Sequence, residues 1–90
     1  MESKIQRKII KDLEANGWIV IKTIVLSKSG YPDIIAFKNS KTIFIEVKDT
    51  KGVVSELQAY RIRQLKAQGF NVFLIYSYIE YINVRDADFR

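Results

Sequence analysis

The sequence predicts an α/β domain in which a mixed sheet is flanked by helices in the order α-β-β-β-α-β. Three features predict it. Apolar residues recur every four positions near the start, at Ile5, Ile9 and Leu13. Two apolar runs, residues 32–38 and 41–48, hinge on Asn39-Ser40, as the strands of a β-hairpin do. A helix-length segment closed by Gly69 then leads to one more apolar run, so the last strand should join the sheet through a right-handed parallel crossover.

Each element has its own local cause. Residues 2–15 form an amphipathic helix, with Ile10 beside the apolar stripe and Lys4, Arg7, Lys8 and Lys11 on other faces. Asn16-Gly17 tolerates the left-handed conformation that ends a helix. Residues 18–26 (WIVIKTIVL) are rich in Ile and Val and read as a strand. Polar SKSGY is a loop, and Pro32 suits the first residue of a strand, where no ladder N–H is needed. Residues 55–68 form the second helix, with Gln58, Ile62 and Leu65 along one side. Residues 71–76 are the last clear strand. From Ser77 the tail has two readings: Ser77 with Glu80 matches a capping box that opens a short helix, while Tyr81, Ile82 and Val84 suit a strand.

Composition narrows the chemistry. Ninety residues make one domain, 1–90, small enough that a homo-oligomer is expected to help stabilise it. There is no cysteine and no histidine, which removes disulfide frameworks, Cys- or His-ligated zinc, and every nucleophile activated by imidazole. Carboxylates, lysine, hydroxyls and a borrowed metal ion remain. No signal-peptide core or membrane-length apolar run is present, so a soluble, intracellular, cytoplasmic protein without a membrane partner is expected. The net charge of +5 points to a polyanion, nucleic acid first.

The chemistry concentrates in IFIEVKD, residues 43–49. A hairpin symmetric about Asn39-Ser40 sets Asp33 directly opposite Glu46, with Cβ atoms about 4.5–5.5 Å apart on one face. Alternation along the second strand places Phe44, Glu46 and Lys48 on that face and Ile43, Ile45 and Val47 on the other. Two opposed carboxylates repel unless a cation lies between them, and Mg²⁺ accepts one or two protein carboxylates while leaving sites for phosphate oxygens. Lys48, about 6.6 Å further along the face, would orient a water or stabilise phosphorane charge. That combination is metal-assisted phosphodiester hydrolysis. The bland alternative is an ordinary Glu46–Lys48 ion pair on a solvated strand, which leaves Asp33 unexplained.

The ordered set GYPDII (30–35), IEVK (45–48) and SELQ (55–58) resembles the VRR-NUC (virus-type replication-repair nuclease) domain of the PD-(D/E)XK superfamily. The resemblance spans nearly the whole chain. It implies a restriction-endonuclease-like core and Mg²⁺- or Mn²⁺-dependent DNA cleavage. It makes Asp33, Glu46 and the Val47 carbonyl metal ligands, Lys48 the motif lysine, and Gln58 a site residue. Glu2 is a further candidate ligand from the first helix, with helix-terminus electrostatics as its alternative. Stand-alone members resemble dimeric endonucleases that cut four-way (Holliday) junctions, and members embedded in larger repair proteins act on flaps. The absence of a fused domain favours the first kind, a homodimer acting on branched DNA.

Ser55 and Gln58 also match a capping box, and a Gln58 that folds back to cap is expected to be unable to reach the metal site. Lys4, Lys8, Lys11, Lys28, Lys51, Arg61 and Ser55 are candidate DNA contacts, joined by Arg63, each with a solvated-surface alternative. The aromatic tail, with Tyr76, Tyr78, Tyr81 and Phe89, suits either a dimer contact or a cap on the monomer's core. Two rivals keep DNA cleavage out: a double-stranded-RNA-binding module, and an inactive nuclease-fold scaffold. The first should place bases where the second helix starts, and SELQ has none.

Overall fold

A computed structural model describes residues 3–24, 27–49 and 51–89. Seven elements follow one another: α1 (Lys4–Ala15), β1 (Ile19–Lys22), β2 (Ile34–Lys38), β3 (Lys41–Val47), α2 (Glu56–Ala67), β4 (Asn71–Ile75) and α3 (Tyr78–Asp88). The four strands lie in the order β1-β2-β3-β4. β1 and β3 run antiparallel to β2, and β4 joins β3 in parallel. This is the mixed sheet that the sequence predicts.

The hairpin register is the expected one. Ile34 pairs with Ile45, Ala36 with Ile43 and Lys38 with Lys41. Asn39 and Ser40 both have positive φ, 50° and 65°, as a two-residue turn matched to the strand twist requires. Because side chains alternate along a strand, this register sends Ile34, Ala36, Ile43 and Ile45 to one face. All four are buried there in a core with Ile9, Leu13, Trp18, Ile75 and Tyr81. α1 and α3 pack together over that face, and α2 packs beside β4.

Several boundaries differ from expectation: β1 starts at Ile19, β3 ends at Val47, β4 ends at Ile75 and α2 spans Glu56–Ala67, each one residue inside the expected run. β1 stops at Lys22, short of the strand expected to reach residue 26; Val25 and Leu26 lie outside the described residues. β2 begins at Ile34, after Pro32 and Asp33, because Pro32 lacks an N–H and the Val47 N–H at the end of β3 is taken by the Asp33 side chain, at 2.9 Å, instead of by the backbone before Ile34. The tail is a helix. Ser77 caps it by accepting from the Glu80 N–H, and Tyr81 becomes fully buried, so the strand reading fails there. Tyr81 donates to Asp12 at 2.7 Å, Arg85 holds both oxygens of Asp12 at 3.0 and 3.2 Å, and Phe89 packs on Trp18, Phe73 and Tyr81. Tyr81 and Phe89 therefore cap the monomer's own core. No helix among the described residues is long and apolar enough to cross a membrane.

Candidate active site

The other sheet face carries the expected cluster. Phe44 and Glu46 project there, and Phe44 meets Phe70 edge to face at 5.6 Å between centroids. Asp33 sits at the register position opposite Glu46, one residue beyond the ladder's last pair, Ile34–Ile45. Its Oδ2 accepts from the Val47 N–H at 2.9 Å, which ties the chain just before β2 to the end of β3.

Glu46 is the one buried polar or charged residue among those described, with 2% of its surface exposed. Its two oxygens are treated differently. Oε2 receives Gln58 Nε2 at 3.1 Å and lies 3.3 Å from Lys48 Nζ. Oε1 is buried and has no hydrogen-bond partner. Leaving such an atom unpaired costs roughly 1–3 kcal/mol, more when charged. Burial raises the Glu46 pKa above its ordinary value, the Asp33 charge raises it further, and the Lys48 ammonium and the Asp33 backbone N–H oppose the rise. Two carboxylates here share one ammonium, that of Lys48.

Gln58 corrects one expectation. It caps and reaches the site at once, because its amide has two ends. Oε1 accepts from the Ser55 N–H at 3.0 Å, the Ser55 Oγ accepts from the Gln58 N–H at 3.1 Å, and Nε2 remains to donate to Glu46. The capping box also fixes which end of the amide faces the carboxylate, since the acceptor end is held by a backbone donor. Ser55 acts through this box. Lys48 is engaged with Glu46, so the ion pair of the bland reading exists inside the acidic pocket rather than in place of it.

Gly30 positions the approach of α2. Its φ is +88°, and a Cβ there would stand 2.6 Å from Leu57 Cγ, so the loop before Pro32 can touch the helix that carries Gln58 only because it has no side chain. Arg61 continues that contact by donating from Nε to the Ser29 carbonyl at 3.1 Å.

The candidate DNA contacts do not form one patch. Lys8 and Lys11 line a groove with Asp12, Ala15 and Tyr78 at α1 and α3, on the sheet face opposite Glu46, and Lys8 lies 5.5 Å from the Tyr78 ring centre. Lys4, Lys28, Lys51 and Arg63 are exposed, and Arg61 is half-buried against the loop. Tyr31 and Tyr60 escaped the sequence reading although both flank Arg61, with ring centres 4.8 and 5.5 Å from its guanidinium. The adjacent Tyr60-Arg61 pair was the signal, an aromatic beside a base.

The donor set suits a hard divalent cation. Glu46 carries a bare, buried carboxylate oxygen, the Asp33 charge lies close enough to raise its pKa, and hard cations take oxygen ligands of this kind. Among the described residues no three acidic side chains converge, so a cation held here would need backbone carbonyl, water or substrate oxygens as well. Glu2, the further candidate ligand, lies outside the described residues.

No curated protein sequence matches the chain. A solved structure described as a VRR_NUC domain superposes with a TM-score of 0.87 at 25% identity, covering 97% of this chain and 96% of its own. The VRR-NUC domain family model matches residues 2–78. With that match over most of its length, and with the fold of a nuclease family, the chain belongs to the VRR-NUC domain family.

Proposed function

We propose that this domain is a metal-dependent endonuclease that hydrolyses phosphodiesters in branched DNA, acting as a homodimer that cuts a four-way junction symmetrically. The observation that carries the reading is the bare Oε1 of buried Glu46 opposite Asp33. The Lys48 salt bridge falls on Oε2 and leaves that oxygen open.

In this reading Asp33, Glu46 and the Val47 carbonyl would hold Mg²⁺ or Mn²⁺. When bound, the cation supplies an activated water and charge stabilisation on the phosphoryl group. Gln58 and Lys48 keep Oε2 occupied, so that Oε1 is the oxygen presented to the pocket. Lys48 also brings a positive charge to the pocket's edge, where a phosphate oxygen would compete with Glu46 for its ammonium. Dispersed lysines on both sheet faces fit a substrate recognised by its backbone and shape rather than by base edges.

The test is cleavage of labelled four-way junction, flap and linear duplex DNA and of double-stranded RNA, with Mg²⁺, Mn²⁺ or chelator. Junction cutting that needs metal supports the proposal. Cutting that survives chelator, or no DNA cutting with metal, overturns it. Light scattering tests the dimer separately, and a monomer that still cuts junctions would remove the symmetric part of the proposal.

A further inference from the structure

We infer that Tyr31, Arg61 and Tyr60 form a stacking platform for an unpaired base beside the scissile phosphate, and so select DNA with a branch or frayed end over continuous duplex. The inference rests on the proposed DNA-cleaving function and deepens it by naming the feature of the substrate that is recognised.

Three observations carry it. The Arg61 guanidinium is held in a fixed orientation, with Nε on the Ser29 carbonyl at 3.1 Å and Nη1 on Gln64 Oε1 at 3.1 Å. Two tyrosine rings flank it, Tyr31 at 4.8 Å and Tyr60 at 5.5 Å, and the Tyr60 hydroxyl is anchored in turn by Gln64 Nε2 at 3.0 Å. A cation and two rings are therefore ordered before any ligand arrives, yet Tyr60 remains 46% exposed. An anchored aromatic that is half open to solvent contributes little to a core.

The platform is also close to the carboxylates. Tyr31 is two residues before Asp33, at most about 7 Å along the chain. Arg61 follows Gln58 by three residues on α2, placing their Cβ atoms about 5–6 Å apart, and Gln58 touches Glu46. The Tyr31 span equals about two nucleotide steps of roughly 3.4 Å each, and the route from Arg61 is longer by the Gln58 side chain that reaches Glu46. Every base has a π-face, so aromatic and guanidinium planes stack on it without reading sequence. A base inside continuous duplex already has a neighbour on both faces. Only an unpaired or terminal base can use the platform, which converts stacking into recognition of DNA shape.

The test uses the full chain in chelator, so that no strand is cut. Binding is measured by fluorescence anisotropy to a four-way junction with 2-aminopurine at the branch and to a continuous duplex of equal length. Tyr60→Ala should weaken junction binding about 5- to 150-fold, the range that loss of one stacked base implies, and duplex binding less than about twofold. Tyr60→Trp should restore junction binding, and the 2-aminopurine signal should change on binding in wild type and in Tyr60→Trp but not in Tyr60→Ala. A thermal melt of each variant separates this from misfolding. Equal loss on both DNAs, or no loss on either, overturns the platform while leaving the nuclease reading intact. Failure of the wild type to bind either DNA overturns the platform, whereas the nuclease reading is decided by the metal-dependent cleavage assay.

Discussion

Two carboxylates lie on opposite faces of the same sheet and are handled in opposite ways. Asp12, on the α1–α3 side, has both oxygens engaged, by the Tyr81 hydroxyl and by Arg85. Glu46, on the α2 side, is more deeply buried and keeps one oxygen bare. The first arrangement closes a structure: it ties the first helix to the last across 69 and 73 residues of sequence. The second leaves a buried oxygen open, the one that the proposed function fills with a cation. On that proposal, their difference is between a polar group that ties helices together and one that binds.

Substitutions at these sites should therefore have opposite signatures. The largest expected effect is Glu46→Gln, which should reduce DNA cleavage by about 10³-fold, since the amide cannot replace a charged metal ligand. The same change should stabilise the metal-free protein at pH 7 by about 1 kcal/mol in a denaturant melt. The sign follows from the pKa. Glu46 holds its proton more tightly in the folded state, so its contribution to stability is full below the ordinary value of 4.5 and is lost as pH rises through the raised one. Neutral glutamine escapes that loss.

Next in size is Gly30→Ala. A positive φ of 88° and a methyl 2.6 Å from Leu57 Cγ should destabilise the fold by about 2–3 kcal/mol and lower cleavage as α2 shifts away from Glu46. Tyr81→Phe breaks the comparison from the other side. It removes one partner of Asp12 and should cost about 1–2 kcal/mol without changing cleavage at a temperature where the variant is folded. Burial and the bond to Asp12 raise the Tyr81 pKa above its ordinary value of 10.0. Its stabilisation is thus full below pH 10 and declines as pH rises further, a decline that Tyr81→Phe should lack. The smallest expected effect is Ser55→Ala, about 1 kcal/mol from the lost cap, with cleavage nearly retained because the Ser55 backbone N–H still holds Gln58.

What the sequence made legible is local. The hairpin register follows from two residues that accept positive φ, and it alone placed Asp33 at Glu46. The capping box at Ser55 and Gln58 was equally visible, yet its consequence was misjudged, because a capping glutamine uses only the oxygen of its amide. The Asp12–Tyr81–Arg85 network was not legible, since nothing in the composition of the tail specifies a partner about 70 residues away. Burial of Tyr81 decides the tail in favour of a helix, and burial is a tertiary property. The separation of Lys8 and Lys11 from the carboxylates likewise depends on which face α1 covers.

The most direct measurement is thermal unfolding of wild type and Glu46→Gln, each in chelator and in about 10 mM Mn²⁺. If Glu46 Oε1 is kept bare for a cation, Glu46→Gln melts higher than wild type in chelator, and Mn²⁺ raises the wild type alone. A wild type that is already the more stable protein in chelator, or that gains nothing from Mn²⁺, would contradict the role assigned to Glu46.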